Sequence, residues 1–507
     1  MLQNEYGSLY KPGGKIKTVI VFPNSYYLGM SSLGFQVICY EINQHPVISC
    51  ERAFLQESYA IPKSLETQRP LSNFNIIGFS ISFELDYFNI LKILLNAGIP
   101  LKSSERNNKH PFIIAGGICP AFNPEPLADF IDAFFIGDGE EVIHEFLSVY
   151  QIYQSDRQKL LEALSEIKGV YIPSLYKPSY NEDGTLSAIF PEIKIEHRTV
   201  ELDKYETASK VITPDTEFAN TFLLEISRGC VHRCKFCVSC YVQKYRIRSA
   251  DNIIEIAKSD LAQKAKKIGL VGSSVTDHQD IDKIVEALVG MGRKITVASL
   301  RADSVSEVVL DALVSSDLET ITLAPEAGSD RLRKVIGKNI SIDKIYDVIK
   351  SAIKKGIKGI KLYFMIGLPT ETHDDIEAIV SVVKDIKKLI KSKAHLSISV
   401  SPFVPKPKTP FQWYPMENEK LLAQKLLYLK RELAKVGGIR FSANSARMSA
   451  IQGVLSRGDR RLAKVLYDMQ IKNLSWQRSL KENNINAEFY IGRQRDFNEK
   501  FPWDHIQ

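Results

Sequence analysis

The sequence predicts an α/β chain: a doubly wound, Rossmann-like sheet over residues 1–150, a connector over 151–215, a (βα)6 partial TIM barrel over 216–415, and a small, mainly helical region over 416–507. Three observations predict it. Short β-branched runs alternate with helical stretches from about residue 15, the signature of parallel βα units. A second such run begins near Phe222. After Pro410 the apolar spacing becomes helical.

In the first part the strands are expected at 18–22, 76–81, 112–115 and 133–136. Residues 88–95 read as a helix packed on that sheet and stopped by Gly98-Ile99-Pro100. From 151 to 215 the rhythm is lost: a charged helix from Arg157 gives way to extended segments around Pro173, Pro178 and Pro191. In the second part strands are expected at 222–226, 267–271, 295–299, 320–323, 360–365 and 396–401. One helix between them is well punctuated, with Ser341 as N-cap, Ile345, Val348, Ile349 and Ile353 facing inward, and Gly356 as the stop. Parallel strands with right-handed crossovers place functional residues at their C-terminal ends. The last part reads as helices at 417–436, 446–455 and 460–473.

Composition sets the limits. The chain has 507 residues, 44% hydrophobic and 25% charged, which is ordinary for a globular protein. Its longest apolar runs, such as 76–83, are interrupted by Ser or Gly and fall far short of the roughly 20 residues a membrane span needs. The first residues lack the apolar core of a secretory signal, so the expected compartment is the cytoplasm. A net charge of +7 is a mild excess in a chain this long, and nucleic acid is not indicated.

Seven cysteines are too few for a disulfide scaffold. Cys39, Cys50 and Cys119 are scattered, whereas Cys230, Cys234, Cys237 and Cys240 fall within eleven residues. The stretch Ser227-Arg-Gly-Cys230-Val-His-Arg-Cys234-Lys-Phe-Cys237 follows the first barrel strand. Thiolates spaced four and three apart can hold three irons of a cubane from one loop, leaving the fourth iron to bind a small molecule through an amine and a carboxylate. Two other readings compete: a zinc site with His232 or Cys240 as fourth ligand, and inert buried thiols. Zinc knuckles come as two paired halves and no second pair exists here, which with the following βα units favours iron–sulfur. Cys240 as a fourth ligand would close the open iron.

A Cys-x3-Cys-x2-Cys loop after the first strand of a partial barrel, with Phe236 before the last cysteine, resembles the radical S-adenosylmethionine (radical SAM) superfamily. The resemblance implies a [4Fe–4S] cluster on Cys230, Cys234 and Cys237, with S-adenosylmethionine (AdoMet) on the open iron. Reductive cleavage of AdoMet would give a 5′-deoxyadenosyl radical. It further implies AdoMet contacts from Gly272, Ser273 and Ser274, where the usual Gly-Gly-Glu-like turn lacks its acid, from Ser299 and Arg301, from Glu326, and from Gly367, which would let adenine approach the backbone. The bland alternatives are a structural salt bridge for Arg301 and a plain strand-to-helix turn at Gly367.

A doubly wound domain before such a barrel resembles the cobalamin-binding domain of one branch of the superfamily. In place of the usual Asp-x-His-x-x-Gly stands Asn24-Ser-Tyr26-Tyr-Leu-Gly29, so the resemblance implies cobalamin without a histidine lower ligand. Further contacts are implied at Ser80, at Gly116 and Gly117, and at Gly137, Gly139 and Glu140. The stretches from Tyr27 to Phe35, Asn123 to Leu127, Phe403 to Trp413, Ser456 to Arg461 and Pro502 to His505 are similar to cobalamin-binding-domain radical SAM proteins, mostly of unassigned substrate. Without the resemblance, 402–413 reads as a rigid exit able to wall the barrel mouth, and 456–461 as a cap and salt-bridge corner whose arginines could also touch substrate.

The expected function is cobalamin-dependent methylation of an unactivated carbon. The alternatives are a radical SAM enzyme of another type, for RNA modification or carbon–carbon bond formation, with a vestigial first domain, and a non-enzymatic iron–sulfur or zinc scaffold. His232, Arg233, Lys235, Lys244, Arg246 and Arg248 crowd the cysteine loop with no acid between Glu225 and Asp251. They suggest a docking face for an acidic electron donor of flavodoxin or ferredoxin type, or a site for a phosphate-bearing molecule; a solvated loop is the bland reading. No residue stands out in the sequence as catalytic acid or base.

Overall fold

The computed structural model describes residues 2–56 and 60–507. The chain forms two compact units, one built from the residues up to Asn220 with Val454–Tyr490 and Asp496–Gln507, the other from Thr221–Gly453 with Ile491–Arg495. No helix among the described residues is long and apolar enough to cross a membrane.

The first unit carries a six-stranded sheet. In space its strands run Ile48–Phe54, Ile16–Phe22, Ile76–Ser80, Phe112–Gly116, Ala133–Phe135 and Val170–Tyr171. The first five are parallel and the last pairs antiparallel with Ala133–Phe135. This is the doubly wound 2-1-3-4-5 order, whose switch point lies between the first and third strands. The inner strands are near-continuous Val, Ile and Phe because helices cover both faces. Tyr87–Asn96 is the expected helix, and Gly98 at φ +69° ends it as its amide bonds back to Leu95.

Strand Ile48–Phe54 was not expected, because Glu51 and Arg52 break its apolar run. Both charges are buried, and partners elsewhere in the chain engage them. Arg52 is clamped by Glu5 at 2.7 Å and Glu66 at 2.6 Å, and Glu51 accepts from the Thr67 hydroxyl and amide.

The connector belongs to the first unit. After the helix Arg157–Ser165 come a hairpin of Lys177–Tyr180 and Leu186–Phe190 and a segment that crosses the sheet's end, where Arg198 bridges Gly137.

The second unit holds seven parallel strands. Ile295–Val297, Lys267–Val271 and Thr221–Glu225 form one sheet; Thr320–Glu326, Gly359–Ile366, His395–Pro402 and Ile439–Ala443 form another. A bridge from Leu300 to Leu323 joins them into an open, partial barrel. Six strands fall where the pattern placed them. The seventh, Ile439–Ala443, is an edge strand with mixed polarity after Gly437-Gly438, so it lacks the apolar run of an inner strand. The region expected as a separate helical part is thus divided: this strand completes the barrel sheet, and the helix Leu462–Ile471 joins the first unit. The helix Ile342–Lys354 is capped by Ser341 and buries Ile345, Ile349 and Ala352.

Candidate functional site

The cysteine loop is built as a closed excursion from the first barrel strand. Ser227–Arg228 pairs antiparallel with Arg246–Ile247, so residues 229–245 leave and return at one point. Gly229 sits at φ +75°, and a Cβ there would lie 2.7 Å from the Gln243 carbonyl oxygen and 2.8 Å from that of Lys244. Only glycine lets the two ends of the loop close this tightly. Arg248 is fully buried beneath the loop, donating from Nε to the Glu225 carbonyl at 2.9 Å and from Nη1 to Asn252 at 2.8 Å. The rim is tied down twice, by the Lys235 amide on the Ile336 carbonyl and by the Phe411 amide on the Lys235 carbonyl. The Pro-rich exit at 402–413 therefore does touch the cysteine loop. Phe236 packs against the apolar cluster of Ala327, Leu332, Ile336, Leu368, Phe403 and Phe411.

Cys230, Cys234 and Cys237 line one cavity of about 200 Å³. Five of the seven residues expected at AdoMet line it too: Ser273, Ser274, Ser299, Arg301 and Glu326. Gly272 and Gly367 do not. Gly272 packs its Cα against the Ser227 hydroxyl, and Gly367, at φ +75°, leaves room for Leu422, whose Cδ2 would lie 2.7 Å from an added Cβ. The open side of Gly367 is thus filled by the helix Glu419–Val436 rather than by a ring.

Charges in the cavity come in pairs. Arg301 binds Asp303 at 2.7 Å, so the structural ion pair exists while the guanidinium also faces the cavity. Glu326 accepts from Lys338 Nζ at 2.9 Å. Its backbone lies at φ +66°, where the strand bulges between Leu323 and Glu326. A non-glycine residue in this region is held there by its surroundings, and such strain gathers at functional sites. Sequence reasoning missed Lys338; the signal available was its place twelve residues after the acid, on the loop following the next helix.

It also missed Asp277. The acid absent from Gly272-Ser273-Ser274 reappears three residues on, where Asp277 accepts from the Ser274 hydroxyl and lies 2.8 Å from His232 Nε2. His232 stands between the first two cysteines and lines the cavity. Of the basic crowd, Arg248 and His232 are therefore engaged internally, and Arg233 stacks on Tyr241, while the side chains of Arg233, Lys235 and Lys244 remain exposed.

Burial pushes the Cys230 thiol up; it does the same to Cys234, against which Lys338 and Arg301 pull downward. Cys240 is pushed up to about 12, by burial first and then by the three neighbouring cysteines; it donates to the Cys237 carbonyl and does not line the cavity. Among the described residues no three His, Cys, Asp or Glu side chains converge as the ligands of a single ion must. A cubane asks for something else, three soft thiolates spread over three irons beside an open space, and the three cysteines and the cavity fit that demand.

In the first unit the residues expected at cobalamin divide. Asn24, Ser80, Gly116 and Gly117 lie at the carboxyl ends of the strands beside the switch point and are half-buried or exposed. Asn24 Nδ2 donates to Asp86 at 2.8 Å, and the Ile81 amide bonds to the Gly116 carbonyl, which holds the three strand ends together. Tyr26 is turned inward, with its hydroxyl donating to Glu5 at 2.5 Å and its ring edge-on to Phe54. Gly29 packs on Phe54, Gly137 on the Arg198 backbone and Gly139 on Ile38, and Glu140 is buried. These glycines serve the unit's own packing.

A family model described as "Radical SAM superfamily" matches residues 224–383, and one described as "Radical SAM proteins, N-terminal" matches 34–173. An uncharacterised protein of Methanocaldococcus jannaschii is 31% identical over 499 residues, covering 97% of this chain and 99% of its own. Among solved structures, the radical S-adenosylmethionine methyltransferase TsrM from Kitasatospora setae, with tryptophan and an AdoMet analogue bound, gives a TM-score of 0.50 at 14% identity, covering 78% of this chain and 75% of its own. The cobalamin-dependent S-adenosylmethionine radical enzyme OxsB, in its apo form, gives 0.51 at 16%, covering 93% and 70%. At these identities the likeness is one of fold. With three cysteines on the loop after the first barrel strand, a cavity beside them and both family matches, the chain belongs to the radical SAM superfamily and is an enzyme that uses a [4Fe–4S] cluster and AdoMet.

Proposed function

We propose that the chain is a cobalamin-dependent methyltransferase that acts on an unactivated carbon. The observation that carries this reading is the crest of the first unit. At its switch point the half-open Asn24, Ser80, Gly116 and Gly117 stand among exposed Tyr27, Leu28 and Phe83, at the strand ends where sheets of this order bind their ligands. An apolar patch rimmed by polar groups suits a broad, flat ring system with amide side chains. Tyr26 is committed to Glu5 and no histidine stands in its place, so the proposed corrinoid has no histidine lower ligand. The names carried by TsrM and OxsB support the same reading.

A cluster held by Cys230, Cys234 and Cys237 would supply one electron to AdoMet, breaking its C5′–S bond to give methionine and a 5′-deoxyadenosyl radical able to take the substrate's hydrogen, and a bound corrinoid would supply the methyl group, drawn from a second AdoMet. The chain's own part is to bind and to shield. Cys230, Cys234 and Cys237 hold the cluster, and the two rim hydrogen bonds at Lys235 fix their loop. Arg301 donates from Nη2 to Asp303 at 3.0 Å and lies beside it as an ion pair, leaving Nη1 for the methionyl carboxylate. Ser273 and Ser274 offer contacts to the methionyl amine, and Glu326, aimed by its strained backbone and steadied by Lys338, accepts from the ribose. Phe236 and its apolar neighbours keep water from one side of the cavity. Exposed Arg233, Lys235 and Lys244 form the docking face for a flavodoxin or ferredoxin.

Anaerobic reconstitution followed by iron counting, corrinoid spectroscopy and turnover with methyl-deuterated AdoMet tests the proposal. Four irons per chain, corrinoid absorbance and labelled product are expected. Undiminished turnover without corrinoid overturns the cobalamin step, and salt-dependent tRNA binding with a methylthiolated or otherwise modified nucleoside as product replaces it with RNA chemistry.

A further inference from the structure

A closed (βα)8 barrel fills its interior with bulky branched side chains. The inward face of this partial barrel is different. Along Gly359–Ile366 and His395–Pro402, burial alternates. Ile360, Leu362, Phe364 and Ile366, like Leu396, Ile398 and Val400, are at most 1% exposed under the helices, whereas Lys361, Tyr363 and Met365, and Ser397, Ser399 and Ser401, are all only partly buried. Successive residues of a strand point to opposite faces, so the second set lines the lumen.

Parallel register arranges that set in rows. Thr322, Lys361, Ser397 and Arg440 form the lowest row on four neighbouring strands. Tyr363, Ser399 and Ser442 form the next. Met365 and Ser401 form the uppermost, where Asn444 donates to the Ser401 hydroxyl at 3.0 Å. Met365 packs against the cluster that holds Phe236, so this upper row lies at the cysteine-loop end.

This face carries two cations, Lys361, half-buried, and Arg440, exposed on the edge strand. Lys361 lies over the Tyr363 ring, and neither it nor Arg440 has a carboxylate partner among the described residues. The acids that end nearby strands are already engaged, Glu225 by Arg228 at 2.8 Å and Glu326 by Lys338. Strand spacing puts Lys361 and Arg440 about 10 Å apart at Cα with Ser397 between them, so their long side chains can meet over that hydroxyl.

We propose that Lys361 and Arg440, with the hydroxyls of Thr322, Ser397 and Ser399, bind an oxyanion group of the substrate inside the barrel. This deepens the proposed function and rests on the radical centre being at the cysteine loop. Four residues of rise separate the lowest row from the uppermost, roughly 13 Å along the strands, which sets the oxyanion deep below the cysteine-loop end. The substrate class is then an elongated polar molecule with a phosphate or carboxylate at the end remote from the site of methylation.

The test is isothermal titration of the reconstituted full chain with inorganic phosphate and, separately, acetate. Wild type is expected to bind at least one of them; the tighter of the two names the source. Lys361→Met and Arg440→Met are each expected to weaken that binding about tenfold, Lys361→Arg to retain it, and Lys420→Met, a surface control, to leave it unchanged. Should a variant fail to fold, a wild-type measurement stands in for it: phosphate or acetate should protect Arg440 from phenylglyoxal, read by mass spectrometry. No binding of either anion, equal binding by the Met variants, or no protection overturns the proposal. AdoMet cleavage by the same wild-type preparation separates the two readings. Anion binding without cleavage removes the radical reading alone, and cleavage without anion binding removes the lumen site alone.

Discussion

Glu125 and Arg460, 335 residues apart in sequence, are joined within the first unit by a two-pronged ion pair, Nε to Oε2 at 3.0 Å and Nη2 to Oε1 at 3.2 Å. All five N–H groups of Arg460 are spent there and on the Pro173 and Tyr176 carbonyls and the Tyr171 hydroxyl, which in turn donates to Glu125 at 2.5 Å. His505 Nε2 lies 3.5 Å from the same carboxylate, and Asn123 donates to the Ser456 and Gly458 carbonyls. The stretches 123–127, 456–461 and 502–505 thus meet in one buried polar knot. Of the other arginines in 456–461, Arg457 is fully buried and Arg461 is paired with Asp459.

Removing one partner of a buried pair strands the other, so Arg460→Ala is expected to cost about 3–5 kcal/mol. Arg460→Lys loses most of that as well, because an ammonium cannot reproduce the fork. Urea unfolding followed in the first unit measures both, and a loss below 1 kcal/mol for Arg460→Ala contradicts the reading.

The same knot sets a pH dependence. Burial pushes the Glu125 carboxyl up, but the Arg460 and His505 charges and the bonds from Arg460 and Tyr171 outweigh it, and the group lies below its ordinary value. A carboxylate depressed in the folded state contributes stability that is present in full above its unfolded value, about 4.3, and lost as pH falls through the folded one. Unfolding free energy should therefore fall below about pH 4.3, and the part due to this group should vanish in Glu125→Gln. A wild-type profile that parallels the variant's would count against it.

The sequence made the fold legible wherever a strand is apolar on both faces, as in Ile76–Ser80 or Phe112–Gly116, and wherever a helix is punctuated, as at Ser341 and Gly356. It hid strands whose character depends on distant partners. Ile48–Phe54 needs Glu5, Glu66 and Thr67 before its charges can be buried, and the edge strand Ile439–Ala443 has only one neighbour to hide from water. At the site, the cysteine spacing and the strand-end residues could be read because both are local. Lys338 and Asp277 could not, since each matters through a side chain on another loop. Glycine was ambiguous throughout: Gly137 and Gly367 resemble ligand-approach positions in sequence, yet each makes room for protein atoms.

The cysteines are expected to separate three to one. Cys230→Ala, Cys234→Ala and Cys237→Ala should each abolish stable cluster incorporation, while Cys240→Ala, whose thiol is turned to the Cys237 carbonyl, should keep the iron content of wild type. Iron per chain and the low-temperature EPR signal of the reduced protein measure this. Loss of the cluster in Cys240→Ala would assign it a ligand role.

His232 and Asp277 are expected to act on the cluster by positioning its loop. Partners that orient a ligand from outside typically change affinity or activity 10–100-fold when removed. Asp277→Asn keeps the shape but gives up the charge toward His232 and Ser274, so AdoMet cleavage should fall by about tenfold with iron retained. A shift in the cluster's midpoint potential or EPR g-values is the readout that a merely structural role would not move. Wild-type values for both would remove the positioning role.

Gly229 offers the sharpest test of how the loop is made. Its left-handed backbone costs a side chain about 1–2 kcal/mol, and an alanine Cβ would also press on the Gln243 and Lys244 carbonyls, 2.7 and 2.8 Å away, where the loop closes on itself. Gly229→Ala should therefore spread the loop's ends apart, breaking the short pairing of Ser227–Arg228 with Arg246–Ile247 that brings the cysteines to the cavity. The expected result is a folded chain, with an unchanged far-UV spectrum, that takes up little iron on reconstitution. Gly292→Ala serves as the control, since it has a similar φ of +73° with open space around it and lies on an external turn; it should take up iron normally. If both variants load equally well, loop closure at Gly229 is not what gathers the cysteines.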